Sequence, residues 1–261
     1  MSKKIIIGNW KMNPLTLKEA EKLFNNVAKN VSGIKKTEVI ICPPFLYLPT
    51  FAKALAGKGK IKKQISLGAQ DAFWGDAGAY TGEISAEMLY NIGARYVISG
   101  HSERRALGES NTDVNKKVRA SLSAGLRPIL CVGEIARDES HGYFNLVKMQ
   151  LEECLAGISK NSISKITIAY EPIWAISSTP NRQDATSDDS REMAIFIRKI
   201  LSDKFGEEVS NIRIIYGGSA NEKDAEEFLK NGGVDGLLAG RASLDAKKFV
   251  EIVKICETLS K

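Results

Sequence analysis

Short apolar runs alternate with longer amphipathic stretches along the whole chain, and no low-complexity linker interrupts them. Within residues 16–31, for example, Leu17, Ala20, Phe24 and Val27 recur at the spacing of one helix face. The runs predict strands at residues 4–7, 38–42, 65–69, 95–99, 127–132, 166–170, 212–216 and 235–239, and the stretches predict helices that include residues 16–31, 188–204, 221–229 and 246–258. Polar residues before several helical stretches predict N-caps at Asn111, Ser187 and Asn221.

Most of the predicted strands are continuous Ile/Val runs, which is typical of parallel strands that are buried on both faces. Eight strand–helix units in succession favour a closed barrel over an open doubly wound sheet. The predicted fold class is therefore α/β, with residues 1–261 forming a single (β/α)8-barrel domain around a parallel eight-stranded core. No G-x-G-x-x-G motif follows the first strand, so we expect no dinucleotide cofactor.

Composition is that of an ordinary globular protein, with 43% hydrophobic and 26% charged residues in 261. No run approaches the ~20 apolar residues of a membrane span, so we expect no membrane association. The four cysteines, Cys42, Cys131, Cys154 and Cys256, are widely spaced and form no CxxC pair. This spacing favours free thiols in a reducing compartment over disulfides or a metal site, and we predict a cytoplasmic protein without bound metal.

The excess of basic residues, 37 against 31 acidic ones, suggests anionic partners. The densest basic cluster, at residues 58–63, is interpreted as a solvated connection. It lacks the interleaved aromatic residues of a nucleic-acid surface, so we expect no nucleic-acid partner. A small phosphorylated metabolite explains the charge equally well.

Three predicted strands end on residues that carry chemistry. Glu171 closes the run 166–170 and is followed at once by a proline, Lys11 and Asn9 follow the first strand, and His101 follows the fourth. In a parallel barrel the carboxyl ends of the strands meet at one rim, where active sites are found. A carboxylate, an ammonium and an imidazole at that rim form a site suited to moving a proton next to a carbonyl group.

Four motifs in order resemble the signatures of the triosephosphate isomerase family: GNWKMN at residues 8–13, GHSERR at 100–105, AYEPIWAI at 169–176 and YGGS at 216–219. Shorter matches lie at residues 68–70, 82–85, 131–134 and 234–236, so the resemblance covers nearly the whole chain. It implies an isomerase that interconverts dihydroxyacetone phosphate and D-glyceraldehyde 3-phosphate through an enediolate, in glycolysis and gluconeogenesis. No metal or cofactor is implied.

The resemblance also implies a role for each catalytic position, carried over from the family. Glu171 shuttles the proton between two carbons, and neutral His101 polarises the carbonyl at a helix N-terminus that begins at Ser102. Lys11 supplies positive charge and Asn9 donates a further hydrogen bond. Glu103 helps to position Lys11.

Phosphate binding is expected from two glycine-containing turns, since backbone N–H groups after the last two strands commonly hold phosphate in barrels. The residues are Gly217, Gly218 and Ser219 after strand seven, and Gly240 and Arg241 after strand eight. Arg241 replaces a family glycine. We expect a glycine-only backbone conformation to be costly there, with a cation facing the phosphate instead.

The segment after Ile176 departs further from the family. Where the family reads Gly-Thr-Gly-Lys-Thr-Ala, this chain has a longer segment, residues 177–185, without glycine and with a proline. We retain it as a lid over the substrate, with Ser177, Ser178 and Thr179 supplying the hydroxyl and N–H groups.

The loop 70–81 carries Phe73, Trp74 and Tyr80 between glycines, and such an apolar loop is poorly suited to solvent. It resembles the family's dimer loop, whose threonine, here Thr81, supports the catalytic lysine or asparagine of a neighbouring subunit. A homodimer is therefore expected, against the alternative of a loop folded onto its own barrel.

Two other functions compete with this prediction. A Schiff-base aldolase on the same barrel would need a desolvated lysine within a central strand, whereas Lys11 lies beyond its strand. A barrel that binds triose phosphates with little or no catalysis gains some support from the altered lid. The four central catalytic residues argue against it.

Overall fold

The computed structural model describes residues 3–57, 64–176, 179–180 and 182–260. Eight parallel strands pair in chain order, and the last strand pairs with the first, which closes a barrel. This confirms the predicted α/β fold class. The strands are β1 Lys4–Asn9, β2 Thr37–Cys42, β3 Ile65–Ala69, β4 Tyr96–Ser99, β5 Arg127–Val132, β6 Thr167–Tyr170, β7 Arg213–Tyr216 and β8 Gly236–Ala239.

Helices surround the barrel and bury their apolar faces against it. The barrel interior is filled by a separate cluster of side chains that includes Ile5, Ile40, Tyr96 and Ile215. Burial on both faces explains why these strands read as continuous apolar runs. The α-helices are α1 Leu17–Asn30, α2 Leu48–Ala56, α3 Ala86–Ile92, α4 Ser102–Ala106, α5 Asn111–Ser123, α6 Gly142–Cys154, α7 Lys160–Ile163, α8 Ser187–Phe205, α9 Ala225–Asn231 and α10 Ala246–Leu259.

The predicted N-caps are each wrong. The caps of α5 and α8 are Ser110 and Thr186, one residue earlier than predicted, and each forms a capping box with an aspartate three residues on. Asn221 does not begin α9. Its side chain accepts a hydrogen bond from the N–H of Lys223 in a turn that delays the helix to Ala225.

The structure bears on the expectation about membranes but not on the basic cluster. Within the described residues, no helix is long and apolar enough to cross a membrane. The basic cluster at residues 58–63 lies outside the described residues.

Candidate active site

The strand ends bring four of the predicted catalytic residues to one cavity. Asn9 is the last residue of β1, Lys11 follows it, His101 follows β4 and Glu171 follows β6. All four line a cavity of about 560 Å³ at the carboxyl rim of the barrel. Sequence positions that are far apart thus meet because parallel strands end at the same rim.

His101 and Glu171 form the central pair. The Nε2 atom of His101 lies 3.3 Å from Oε1 of Glu171. Both side chains are almost inaccessible to solvent, with 7% of His101 and 2% of Glu171 exposed. The second carboxylate oxygen, Oε2, accepts a hydrogen bond from the N–H of Ser102 at 3.2 Å. Two donors therefore hold a buried carboxylate beside an imidazole.

The protonation of the His101 ring follows from its other nitrogen. Nδ1 accepts a hydrogen bond from the N–H of Glu103 at 3.1 Å in the first turn of α4. A nitrogen that accepts from a main-chain N–H cannot also carry a proton, so the hydrogen-bond network assigns a neutral ring with its proton on Nε2. The positive end of the helix likewise disfavours a charged imidazole. His101 is therefore a neutral donor facing into the cavity.

Lys11 is held in an unusual backbone conformation, with φ of 53°. Its N–H donates to Oδ1 of Asn9 at 3.0 Å, and its carbonyl accepts from Nε2 of Gln70 at 2.8 Å. Its ammonium lies 2.6 Å from Oε1 of Glu103, as expected of a residue that positions it. A non-glycine residue with positive φ needs such support, and it is found mainly where function requires it.

The turns after β7 and β8 also line this cavity, through Gly217, Gly218, Ser219, Gly240 and Arg241. A Cβ atom on Gly217 would lie 2.8 Å from Cγ of Glu171, and one on Gly218 would lie 2.2 Å from the Tyr216 hydroxyl. Glycine is therefore required by close packing at both positions. The Ser219 hydroxyl is buried without a hydrogen-bond partner among the described residues, which leaves it available to a ligand.

The expectation of a costly backbone at Arg241 is wrong. Among the described residues, the non-glycine residues with positive φ are Lys11 and His141, so Arg241 adopts an ordinary conformation. It opens a short 3₁₀ turn, Arg241–Leu244, while Gly240 before it takes φ of −87° and ψ of −98°. The turn therefore accommodates a side chain without strain, and that side chain lines the cavity.

A 3₁₀ turn, Ile173–Ala175, precedes the segment 177–185 that the sequence predicts as a lid, and buried contacts hold this turn in place. Oε1 of the fully buried Glu134 accepts from Nε1 of Trp174 at 2.8 Å and from the Tyr170 hydroxyl at 2.7 Å. Burial and the Glu134 charge raise the pKa of Tyr170, so its hydroxyl stays protonated and donates.

The segment 177–185, predicted as a lid, is described only in part. Ser177 and Ser178 lie outside the described residues. The Thr179 hydroxyl donates to the carbonyl of Ile173 at 2.5 Å. Arg182, from the same segment, lines the cavity together with Ile176.

The environment of Cys131 bears on whether a cysteine could act as a nucleophile at this site. Burial, reinforced by the nearby Glu171 charge, raises the pKa of the Cys131 thiol well above its usual range, which disfavours a thiolate nucleophile. Among the described residues, no group of three or more His, Cys, Asp or Glu side chains is arranged to hold a metal ion.

A family model described as triosephosphate isomerase matches residues 4–256. The chain belongs to the triosephosphate isomerase family. It is 43% identical over 254 residues to the triosephosphate isomerase of Aquifex aeolicus, covering 96% of this chain and 98% of the relative. Identity to the Thermoanaerobacter pseudethanolicus enzyme is 44% over 256 residues, with 97% and 99% covered. The crystal structure of the Bartonella henselae triosephosphate isomerase matches with a TM-score of 0.83 and 37% identity, covering 97% of this chain and 98% of that one.

The family resemblance read from the motifs is thus confirmed, but sequence reasoning missed some residues of the triosephosphate isomerase site. Gln70 is the last residue of the motif match at 68–70, and its position as a polar residue directly after β3 is a signal that it reaches the rim. The N–H of Ser102 was missed as a ligand of Glu171 because backbone donors leave no mark in sequence. Lys223 also lines the cavity, and no signal in the sequence indicates this. Arg182 lines it too, although the only substrate contacts expected within the predicted lid are Ser177, Ser178 and Thr179.

The aromatic residues of the loop 70–81 pack on one another. Phe73 stacks on Trp74 with ring centroids 4.4 Å apart, and Tyr80 packs against Phe73 at 4.6 Å. The N–H of Phe73 donates to the carbonyl of Ile84, which closes the base of the loop. The tip, from residue 76 to Thr81, is exposed on the single chain. The loop is therefore a compact projection with its tip in solvent.

Proposed function

We propose that this chain interconverts dihydroxyacetone phosphate and D-glyceraldehyde 3-phosphate as a single (β/α)8-barrel enzyme of the cytoplasm, in glycolysis and gluconeogenesis. The observation that carries the proposal is the pairing of a buried carboxylate with a neutral imidazole donor, 3.3 Å apart, in a cavity that also holds Lys11. A base and a neutral electrophile in contact are what proton transfer next to a carbonyl requires.

The reaction starts when the substrate carbonyl oxygen takes the Nε2–H of His101 as its hydrogen bond. This contact replaces the one to Glu171 and leaves the carboxylate free to face the substrate carbon. Glu171 removes a proton from the hydroxyl-bearing carbon, and the electron pair moves into a carbon–carbon double bond while the carbonyl oxygen becomes the enediolate oxygen. Return of the proton to the neighbouring carbon, with a proton exchanged between the two oxygens, completes the isomerisation.

Charge stabilisation is assigned to Lys11 and Asn9. The Lys11 ammonium, oriented by Glu103, stands at the same cavity wall as Gly240, whose added Cβ would lie 3.5 Å from Cε of Lys11. Asn9 accepts from the Lys11 N–H with its oxygen, so its amide nitrogen is the group that can donate to the substrate. Preorganised donors of this kind stabilise charge that develops on an enediolate.

Substrate phosphate is assigned to the turns after β7 and β8. Its ligands are the N–H groups of Gly218, Ser219, Gly240 and Arg241, with the Ser219 hydroxyl and the Arg241 guanidinium. The position of these residues in the cavity lining and the unpartnered Ser219 hydroxyl support this assignment. Residues 177–185, including Ser177, Ser178 and Thr179, are assigned to a lid that closes over the bound phosphate.

A homodimer is proposed from the surface beside the active site. A second cavity, of about 370 Å³, shares Asn9 and Lys11 with the first and is rimmed by Met12 and Leu107. These two apolar side chains are 87% and 79% exposed, which is unusual next to a catalytic lysine. We assign the tip of a partner's loop 70–81 to this position, with Tyr80 and Thr81 at the tip and Phe73 and Trp74 packed behind it.

Neither alternative read from the sequence gains an observation in its favour. The ion pair of Lys11 with Glu103 suits a charged ammonium and not the neutral amine of a Schiff-base nucleophile. Nothing in the cavity favours a barrel without catalysis.

The test is a coupled assay in both directions with purified protein. The expected result is turnover of each triose phosphate by the wild-type chain. A metal chelator should not reduce this turnover, and dialysis that removes small molecules should not reduce it either. Absence of turnover in both directions, with the phosphate esters still bound, would favour the non-catalytic alternative.

A further inference from the structure

The opposite end of the barrel holds a cavity that the isomerase reaction does not use. This basic cavity, defined by its lining side chains Lys3, Lys4, Lys35, Lys36, Arg198 and Lys230, has a volume of about 700 Å³. It lies at the amino ends of the strands, since Lys4 begins β1 and Lys36 directly precedes β2. His101 and Glu171 lie at the other rim.

Acidic residues around the basic cavity pair with two of its six cations and with the main chain. Asp235, which also lines it, lies 2.8 Å from the Arg198 guanidinium, and Glu226 lies 2.5 Å from the Lys230 ammonium. Glu257 accepts hydrogen bonds from the main-chain N–H groups of residues 35–37. None of these carboxylates forms an ion pair with Lys3, Lys4, Lys35 or Lys36.

Those lysines contact main-chain carbonyls. Lys3 donates to the carbonyl of Lys35 at 2.7 Å, Lys4 to that of Leu229 at 3.2 Å, and Lys36 to that of Ser260 at 3.0 Å. In the described part of the chain, no carboxylate lies within 4.0 Å of the ammonium of Lys3, Lys4, Lys35 or Lys36. Clefts lined by charges of one sign concentrate the field and attract counter-ions.

We propose that the basic cavity binds a small molecule that carries several phosphate groups and no nucleobase. Its volume is in the range of small-molecule sites. Lysine ammoniums bind phosphate as point charges, whichever way the ligand lies. No aromatic side chain is among the lining residues described, so a base would have no stacking platform, which disfavours nucleotides and nucleic acid.

The test measures binding of inorganic tripolyphosphate to the full chain by isothermal titration calorimetry at low ionic strength. Wild type is compared with Lys35→Gln/Lys36→Gln and with the control Lys18→Gln/Lys22→Gln, which removes two exposed lysines of α1. The first variant should bind about tenfold more weakly, equivalent to about 1.4 kcal/mol. The control and a charge-preserving Lys35→Arg/Lys36→Arg variant should bind nearly as wild type does.

Two further measurements locate the binding. Inhibition of isomerase turnover reports tripolyphosphate at the catalytic rim and should be equal in all variants. Hydrogen exchange in peptides that contain residues 34–37 and 257–260 should slow on binding to wild type. If the double variant fails to fold, Lys35→Gln alone replaces it, since that side chain is exposed.

Equal weakening in the control variant would mean that only general surface charge attracts the anion, and the proposal would be wrong. It would also be wrong if tripolyphosphate bound only in competition with substrate, without slower exchange at residues 34–37. Because calorimetry and hydrogen exchange do not depend on turnover, these two measurements decide the proposal independently of the isomerase assignment.

Discussion

Glu171 lies with one carboxylate oxygen 3.3 Å from Nε2 of His101 and the other on the N–H of Ser102. In this position both oxygens are engaged by the protein, so the base is held away from a substrate carbon. Substrate that takes the His101 hydrogen bond releases one of the two contacts. The base is thus held by the same donor that the substrate carbonyl needs, which links binding to the release of the base.

Glu171→Gln should bind a phosphorylated substrate analogue with nearly wild-type affinity but lose most turnover. The amide keeps the shape of the side chain and lacks the basic oxygen, and general-base catalysis typically contributes ~10²–10⁴-fold. Turnover is measured in the coupled assay, with Glu251→Gln on the exposed face of α10 as a control for charge. Near-normal turnover of Glu171→Gln would rule out this residue as the base.

Movement of Glu171 depends on the space beside Gly217. In Gly217→Ala the new Cβ would lie 2.8 Å from Cγ of Glu171, so the carboxylate or the turn must shift. We expect kcat to fall by about tenfold or more, since small misplacements of a catalytic group are costly. Gly33→Ala is the matched control, because its Cβ meets nothing within 4 Å. If both variants turned over alike, Gly217 would not limit the position of the base.

The barrel was predictable because parallel strands buried on both faces leave continuous apolar runs, and the bounds of β3 and β5 agree with the prediction to the residue. Strand ends likewise placed Glu171 and His101 at one rim. The contact between Glu171 and Ser102 was not predictable, since it joins a side chain to a backbone group distant in sequence. The start of α9 was missed because the Asn221 turn competes with the helix through local hydrogen bonds.

Arg241→Gly should raise KM for both triose phosphates and leave kcat nearly unchanged. The Arg241 side chain lines the cavity at the proposed phosphate wall but is exposed, and exposed charge pairs contribute about 0.2–1 kcal/mol, or up to about fivefold in affinity. Steady-state kinetics at low and high salt provide the measurement, and Arg241→Lys should keep most of the affinity. A fall in kcat with KM unchanged would assign Arg241 to the reaction itself and not to phosphate binding.

Replacing Phe73, Trp74 and Tyr80 together with serine should yield monomers with much lower activity. The partner's loop would no longer fill the cavity beside Lys11. The backbone of Lys11, which has a positive φ, would then lose the support of the partner's loop. Analytical ultracentrifugation measures the assembly, with Ile195→Ser on α8 as a control, because Ile195 is also an exposed apolar residue. A wild-type chain that sediments as a monomer at micromolar concentration would contradict the proposed dimer before any variant is made.

Exchange of residues 177–185 for the family's Gly-Thr-Gly-Lys-Thr-Ala should preserve closure and alter its kinetics. The base of the segment is already fixed, since Trp174 donates to buried Glu134 and the carbonyl of Trp174 accepts from the N–H of Gln183. Proline and the lack of glycine restrict the chain between these fixed points to fewer backbone states. We therefore expect the turnover rate to change. The partition of the enediolate intermediate between isomerisation and phosphate elimination should stay the same.

The partition is measured as methylglyoxal formed per turnover, because an enediolate phosphate exposed to water eliminates phosphate. A second variant, in which residues 177–185 become a flexible glycine–serine segment, should release more methylglyoxal, since a chain with more open states closes less completely over the intermediate. The family-sequence variant is its control, because it retains a segment suited to closure. Unchanged turnover and unchanged methylglyoxal in the glycine–serine variant would mean that residues 177–185 are not a lid.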